Sequence, residues 1–362
     1  MSRIRPFSED DIAQVARLHQ AVFKPRGRTD SSALDSYRSY FCHVFLDSPF
    51  YDPYLPSLVY EDDHGHIVGF LGTVPRRMAI NGKRLQVAVS SQFVVDPASP
   101  VGLVAVGLAK AFLEGPQDLS IADDATDVSR RIWEGLGGGT APLLSLHWTR
   151  PLRPARLGVS LMRNRSGLTP LGVVASPLAT IIDALATRLP RSYFHQACTR
   201  DSAADLDAAT ASSVMPDFHD VGVLHVEHDE RTFAWLLERA AQTRPGGRLL
   251  KTVLRHGQQI LGWYIWHLNP ERRAEVLQLK ATPSSIDGVL DHLFYDAWQL
   301  GAIAVSGRLE PRFLQALSDK YCLFHRRGPW MLVHARRPEL LQAFQAGNVS
   351  FSRLEGEWSL AF

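Results

Sequence analysis

Residues 85–113 read LQVAVSSQFVVDPASPVGLVAVGLAKAFL, and the fold can be inferred outward from this stretch. Apolar and polar residues alternate up to Val95, a turn containing two prolines follows, and an apolar helix continues to Leu113. The first N–H groups of a helix have no partner inside the helix, and the helix dipole attracts an anion there. The stretch therefore predicts a strand, a turn and a helix that form an anion cradle. The first turn of this helix consists of Val101, Gly102, Leu103, Val104 and Ala105.

The predicted cradle differs from two common nucleotide sites. It lacks the GKS or GKT sequence of a P-loop. It also lacks the acidic residue that a dinucleotide fold places about 20 residues further on, since Asp118 precedes the next strand instead of ending it.

Length and composition limit the class of protein. The chain has 362 residues, more than the roughly 250–300 that one hydrophobic core usually serves, so we expect two domains. Its 45% hydrophobic and 21% charged residues are typical of a soluble globular protein. The 39 basic and 37 acidic side chains nearly cancel and form no basic run, so no nucleic-acid partner is expected.

Cysteines and apolar segments indicate the compartment. Cys42, Cys198 and Cys322 are far apart and odd in number, which predicts neither a disulfide framework nor a metal site and favours a reducing cytoplasm. The first residues contain no apolar stretch, so no signal peptide is expected. Residues 168–189 are apolar but include two prolines and two charges, and we interpret them as a buried or interdomain helix instead of a membrane span.

The element pattern predicts a mixed sheet. Along residues 1–150 the order is a strand, two helices, three strands, a helix, a strand, a helix and a strand. Asn81-Gly82 between the second and third strands of the triplet is a strong signal for a type I′ hairpin. The order corresponds to an antiparallel meander that leads into a βαβ unit, which is an α/β fold with a mixed sheet.

The same order returns in the second half of the chain, from about Phe194. Three strands at residues 248–256, 260–268 and 274–281 form another meander, followed by a helix, a strand, a helix and a strand. The predicted domains are therefore residues 1–150, a linker with a helix at 151–193, and residues 194–362.

This doubled pattern resembles the GNAT superfamily of acyl-CoA-dependent N-acyltransferases, in a tandem arrangement. In the first copy the resemblance rests on IRPFSEDDIAQVARLH (4–19), VGFLGTVPRRMAINGKRL (68–85), FVVDP (93–97) and RRIWEGLGG (130–138). In the second it rests on ILGWYIWHL (260–268), AEVLQLKATP (274–283), GAIAVSG (301–307) and PRFLQALSDK (311–320).

The resemblance implies a substrate and a site. It implies acyl transfer from acetyl-CoA or another acyl-CoA to an amine, on a small molecule or a peptide, by direct attack and without a metal. The pantetheine would lie beside the strand that ends in Phe93, Val94 and Val95, and the pyrophosphate on the helix that begins at Val101. For proton transfer we select Asp123, at the end of the following strand, and Gln92, on the cofactor strand.

The sequence departs from the family pattern at several positions. In the cradle, Pro100 stands where the family has Arg or Gln and Leu103 where it has Gly, while Ala105 keeps the small residue. Trp133 occupies the place of the tyrosine that acts as the general acid in the family. The corresponding turn of the second copy, TPSSIDGV, has no glycine pair, which predicts a structural or substrate-covering role for that half.

Other interpretations remain open at this point. The chain could be a catalytically inactive GNAT-like binding or regulatory module, or an aminoacyl or peptidyl transferase with a large second substrate. Asp123 and Asp124 could cap the next helix together with Thr126, and Gln92 and Ser90, which share one face of the cofactor strand, could form a polar pair with the neighbouring strand. The spacing of two histidines at positions 225 and 228 is a weak metal signal, and we expect no metal there.

Overall fold

The computed structural model describes residues 2–23, 31–163, 169–189, 192–196 and 201–362, without the side chains of residues 31–33, 169–176 and 188. These residues form two compact units. The first consists of Met1–Ser145, His219–Thr243 and Pro329–Phe362, and the second of Leu146–Phe218 and Arg244–Gly328.

The strands of the described residues are β1 (Arg3–Pro6), β2 (Leu58–Glu61), β3 (Ile67–Ile80), β4 (Lys83–Val95), β5 (Leu119–Ala125), β6 (Gly139–Thr140), β7 (His147–Pro151), β8 (Ser202–Asp205), β9 (Leu224–Val226), β10 (Arg248–His256), β11 (Gln259–Leu268), β12 (Arg273–Ala281), β13 (Ala304–Arg308), β14 (Leu323–His325), β15 (Trp330–Ala335) and β16 (Val349–Ser350). The α-helices are α1 (Ile12–Phe23), α2 (Ser31–Phe41), α3 (Val101–Leu113), α4 (Asp127–Gly135), α5 (Pro154–Arg163), α6 (Thr169–Arg188), α7 (Ala208–Val214), α8 (Glu230–Gln242), α9 (Ile286–Gln299), α10 (Leu314–Asp319) and α11 (Pro338–Ala346).

The first unit is built on a nine-stranded mixed sheet. Its main path is β1-β2-β3-β4-β5-β15-β6, and β9 pairs with β3 and carries β16. The strands β2, β3 and β4 are antiparallel, whereas β4 and β5 are parallel and connected through α3. This arrangement confirms the predicted meander followed by a βαβ unit. The apolar face of α3 packs on the sheet, where Val104, Leu108 and Phe112 join a core that also contains Trp133 and Leu332.

The second unit repeats this topology in a seven-stranded sheet of order β14-β7-β13-β12-β11-β10-β8. The strands β10, β11 and β12 are antiparallel, and β12 and β13 are parallel and connected through α9. The aromatic residues of β11 are used for packing, since Trp263, Tyr264 and Trp266 are fully buried. Two mixed sheets flanked by helices confirm the predicted fold class.

The two compact units do not follow the predicted linear boundaries of 1–150 and 194–362. In the first sheet β5 pairs antiparallel with β15, which comes from the end of the chain, and in the second sheet β13 pairs antiparallel with β7. Each sheet thus completes its parallel pair with a strand from the other half of the sequence. Periodicity reveals the order of strands but not their partners, and for that reason the exchange was not predicted.

The segment predicted as a linker belongs to the second unit, within Leu146–Phe218. Its helices α5 and α6 pack against each other, and the carboxylate of Asp183 on α6 accepts hydrogen bonds from the N–H groups of Ala155 and Arg156 at the start of α5. Leu178, Ile181 and other apolar residues of α6 are exposed, so the expectation of a buried helix is wrong for this part of it. Among the described residues, no helix is long and apolar enough to cross a membrane.

Local predictions agree closely with the structure. The hairpin between β3 and β4 turns at Asn81 and Gly82, whose φ angles are +49° and +75°, as a type I′ turn requires. The second of the two helices predicted after the first strand is α2, which is followed by a π-helical segment, Cys42–Leu46.

Candidate active site

The two parallel strands of the first unit separate beyond their first residues. Pairing between β4 and β5 covers only Val87 to Val89 on β4, opposite Leu119 to Ile121 on β5. Both strands continue, to Val95 and Ala125, but within the described residues no strand pairs with this edge of β4 beyond Val89. The separation leaves an opening between the strands, at the C-terminal ends where α/β sheets commonly bind ligands.

A β-bulge marks the point of separation. Phe70 pairs with Val94 and Gly72 with Ser91, so Gln92 and Phe93 together lie opposite a single residue of β3. Gln92 has a φ angle of +53°, which is uncommon for a residue with a side chain. The bulge interrupts the alternation of the strand, so β4 does not place Gln92 and Ser90 on one face as was predicted.

The bulged side chain is held by helix α1. Oε1 of Gln92 lies 2.6 Å from Nε2 of His19, and Nδ1 of His19 lies 3.2 Å from the hydroxyl of Tyr37. An amide oxygen only accepts, so Nε2 carries the proton and, in a neutral ring, Nδ1 accepts from the Tyr37 hydroxyl. His19 is 3% exposed, and Phe23 and Phe362 pack around its ring. In the sequence His19 falls on the apolar face of the first helix, and this position gives no sign of the chain of hydrogen bonds.

The end of β5 is bound by a segment from the end of the chain. Asp123 and Asp124 donate their backbone N–H groups to Oε1 of Glu357, at 2.9 and 3.0 Å. The same segment reaches β4, because the carbonyl of Leu360 accepts from Nε2 of Gln92 at 3.4 Å and from the hydroxyl of Tyr40. Residues 357–360 therefore bridge the two separated strands.

Burial of the Glu357 carboxyl group, together with the charges of Asp123 and Asp124, raises its pKa well above the ordinary value. Asp123 itself is 2% exposed and accepts the N–H of Glu357 at 2.6 Å. Neither acidic residue of β5 caps α4. Thr126 does so alone, by accepting from the N–H of Ser129 at 3.2 Å.

The helix end of the predicted cradle is open. The carbonyl of Pro100 accepts from the N–H groups of Leu103 and Val104, at 3.0 and 3.2 Å. Within the described part of the chain the N–H groups of Val101 and Gly102 make no hydrogen bond, and no side chain caps the helix. Val101 and Leu103 are 45% and 66% exposed, and a Cβ added to Gly102 would meet no atom within 4 Å.

The other predicted cofactor residues contribute through the backbone. The side chains of Val94, Val104 and Ala105 are buried, and Phe93 and Val95 pack partly against the same core. Helix α3 approaches β3 so closely that a Cβ added to Gly69 would lie 2.7 Å from Cγ1 of Val104. The buried side chains of Val94, Val104 and Ala105 are closed to a ligand, whereas Phe93 and Val95 are half-buried.

Trp133, at the position of the family's tyrosine, is a core residue. It lies on α4, is 2% exposed, and packs with a ring distance of 5.9 Å against Phe112 of α3. A buried indole has no titratable proton near neutral pH, so Trp133 cannot act as a general acid.

The corresponding turn of the second unit is filled by its own hydrogen bonds. Oγ of Ser285 accepts from the N–H of Thr282 at 3.0 Å and donates to the carbonyl of Leu261 at 2.6 Å. A Cβ added to Gly262 would lie 2.3 Å from the carbonyl oxygen of Lys280. This turn is therefore occupied by the protein's own groups, unlike the open helix end at Val101. Among the described residues, no group of three or more His, Cys, Asp or Glu side chains could hold a metal ion.

Solved structures show what this architecture is similar to. A probable N-acyltransferase from Enterococcus faecalis V583 has a TM-score of 0.59 at 10% identity and covers 92% of this chain and 72% of its own. GCN5-related N-acetyltransferases from Anabaena variabilis and Kribbella flavida have TM-scores of 0.58 and 0.55 at 11% and 15% identity. Both matches cover 92% of this chain, and they cover 72% and 71%, respectively, of the chains of those two enzymes. The chain thus has the fold of the GCN5-related N-acetyltransferases, as expected from the resemblance.

Sequence comparison adds no nearer relative. No protein-family model matches the chain, and no curated protein matches its sequence.

Proposed function

We propose that the protein is an acyl-CoA-dependent N-acyltransferase whose active site lies in the first unit. The observation that carries the proposal is the opening between β4 and β5 beside an uncapped helix α3. Acyl-CoA would supply the thioester. The free edge of β4 at Phe93, Val94 and Val95 offers backbone groups to an extended pantetheine, and the N–H groups of Val101 and Gly102 offer donors to its pyrophosphate.

In the proposed reaction an amine nitrogen bonds to the thioester carbonyl carbon and the C–S bond breaks. The nitrogen loses a proton to a base, and CoA leaves as a thiolate that takes up a proton. Gln92 has no titratable proton, so its role is to orient groups at the bulge. The titratable group that it contacts is His19. Asp123 acts by positioning residues 357–360, since its carboxylate is already bonded to the N–H of Glu357.

The acceptor that we propose is an amine on a small molecule or a peptide, and the proposed acyl group is acetyl or a longer chain. The proposed compartment is the cytoplasm, which the cysteine pattern favours.

Calorimetric titration with acetyl-CoA and longer acyl-CoAs tests the site. A Gly102→Glu variant would place a carboxylate beside the helix N-terminus and should abolish binding by charge repulsion. Gly135→Glu, at the exposed end of α4 where an added Cβ also meets no atom within 4 Å, is the matched control and should bind as the wild type does. Absence of heat with every acyl-CoA, or equal binding by the two variants, would refute the proposed site.

A second candidate is a GNAT-like module that binds acyl-CoA without catalysis. The burial of Trp133 favours it, because the usual proton donor of the fold is replaced by a core residue. The two candidates differ in turnover. With acetyl-CoA and a panel of primary amines, release of free CoA thiol indicates a transferase, and binding without thiol release indicates the module.

A further inference from the structure

The first unit contains a cavity of about 650 Å³ that the proposed acyl transfer does not use. It adjoins the beginning of β4 at Arg84, Leu85 and Gln86, whereas the proposed cradle follows the end of that strand at Val95. About 35 Å of extended chain separates these two positions. The remaining lining comes from the loop at residues 49–52, from β3, from Asp118 before β5, and from residues 227–232 at the entry to α8.

A buried arginine forms one wall of the cavity. Arg76 is 1% exposed, and the ring of Phe50 lies 4.2 Å from its guanidinium carbon. Its Nε donates to the carbonyl of Glu355 at 2.9 Å and its Nη1 to the carbonyl of Pro75 at 3.0 Å. In the described structure Nη2 has no hydrogen-bond partner. Burial lowers the pKa of Arg76 to about 10, so the guanidinium remains charged at neutral pH.

The histidine beside it also has an unused nitrogen. Nε2 of His228 lies 3.1 Å from Oε1 of Glu355, while its buried Nδ1 has no partner among the described residues. Buried polar groups are usually hydrogen-bonded, and two unsatisfied nitrogens on lining residues of one cavity are a sign that a ligand completes them.

The acidic side chains of the cavity are, in contrast, already bonded within the protein. Four carboxylates line it. Asp52 accepts from the side chain of Gln86, and Asp118 accepts from the backbone N–H of the same residue. Glu227 accepts from the side chain of Arg84, and Asp229 from the backbone N–H of Thr232. The free hydrogen-bonding capacity is thus Nη2 of Arg76 and Nδ1 of His228, and of these the charged guanidinium donor matches an anionic oxygen. Three arginines against four carboxylates leave the lining slightly negative, which disfavours a dianion such as phosphate.

We propose that this cavity binds a free amino acid or a small molecule with an amino-acid backbone. Its carboxylate takes the unused N–H groups of Arg76, and its ammonium group is attracted by the surrounding carboxylates. Such a ligand is neutral overall and satisfies both signs of charge in the lining. The proposal concerns a second site and does not depend on acyl transfer.

Thermal-shift and calorimetric titration of the full chain with each of the twenty common amino acids tests the proposal. At least one should raise Tm and bind, and both its decarboxylated amine and its deaminated acid should bind about tenfold more weakly or worse. Inorganic phosphate should have no effect. The proposal is overturned if no amino acid binds, or if phosphate or the deaminated acid binds as well as the amino acid does. Either result leaves the acyl-CoA titration unaffected.

Variants connect the binding to this cavity. Arg76→Met removes the guanidinium and keeps a chain of similar length, so the ligand-free Tm should fall as the carbonyls of Glu355 and Pro75 lose their donors, while affinity should drop about tenfold or more. Arg336→Gln removes an arginine that lies outside the cavity lining and donates to the carbonyls of Glu114 and Gly115, and this control should bind normally. If Arg76→Met does not fold, Arg76→Lys replaces it in the test. Lysine keeps the charge but lacks the planar donor pair of the guanidinium, so it should also weaken binding. Wild-type affinity in Arg76→Met or Arg76→Lys would overturn the proposal.

Discussion

The backbone N–H of Glu357 donates a 2.6 Å hydrogen bond to Oδ1 of Asp123, a residue 234 positions earlier in the chain. In return, the N–H of Asp123 donates to the Glu357 carboxyl group. Gly356 makes this approach possible, since a Cβ added there would lie 2.1 Å from Oδ2 of Asp123. The pair fastens the end of the chain to the strand that borders the proposed active site.

Glu357→Gln should make stability less dependent on pH. Burial raises the folded-state pKa of Glu357 above its unfolded value, so the folded state retains a proton that the unfolded chain releases. Stability is therefore full below the unfolded pKa, near 4.5, and falls as the pH rises from there towards the folded pKa. Glutamine keeps the Oε1 acceptor and carries no charge. Each unit by which folding raises the pKa of Glu357 corresponds to about 1.4 kcal/mol of pH-dependent stability that the glutamine variant lacks.

Urea unfolding of this variant between pH 4 and pH 8 measures the effect. The stability of Glu357→Gln relative to the wild type should increase as the pH rises over this range, whereas Glu114→Gln, an exposed control, should follow the wild type. Equal pH slopes for all three proteins would show that Glu357 is ionised alike in the folded and unfolded states.

Gln92→Val should destabilise the bulge. A β-branched side chain at a φ angle of +53° is strained, and such strain costs about 1–3 kcal/mol. Gln92→Asn is the matched variant, because both lose the bond to His19 while asparagine tolerates positive φ. The free energy of unfolding should be lower for Gln92→Val than for Gln92→Asn. If the two are equal, the backbone at this position is not left-handed.

Gly69→Ala should separate helix α3 from the sheet. The added Cβ would lie 2.7 Å from Cγ1 of Val104 and 2.8 Å from Cδ1 of Leu108, and such overpacking costs about 1–3 kcal/mol. Gly102→Ala adds the same methyl group in open space, on helix α3 itself, and should be neutral or stabilising. Denaturant midpoints measure both, and a Gly69→Ala protein as stable as Gly102→Ala would contradict the close packing of α3 on β3.

Trp133→Tyr should not restore a general acid. The ring is buried against Phe112, so the new hydroxyl enters the core and costs about 1–3 kcal/mol if it lacks a partner. We expect a lower Tm and no gain in the rate of CoA release. Trp133→Phe, which has no hydroxyl, should lose less stability. A large rate increase in the tyrosine variant alone would place this position at the reacting centre.

Prediction from the sequence was strongest where neighbouring residues decide the structure. The Asn81-Gly82 turn and the α3 boundaries follow from turn chemistry and from the alternation of β4, and the structure confirms them. The bulge at Gln92 was not predicted, because no local signal distinguishes it from a regular strand residue. His19 was assigned to an apolar face, and only the folded chain brings it within hydrogen-bonding distance of Gln92.

By itself, the sequence of residues 85–113 determined a strand, a turn and a helix, since these depend on the conformational preferences of adjacent residues. The order of strands and helices along the whole chain also determined that this pattern occurs twice. Tertiary structure alone decided that β15 completes the first sheet and β7 the second, and that Glu357 closes the end of β5. Those contacts join residues far apart in the chain, and their energy depends on which surfaces meet, which periodicity along the sequence does not contain.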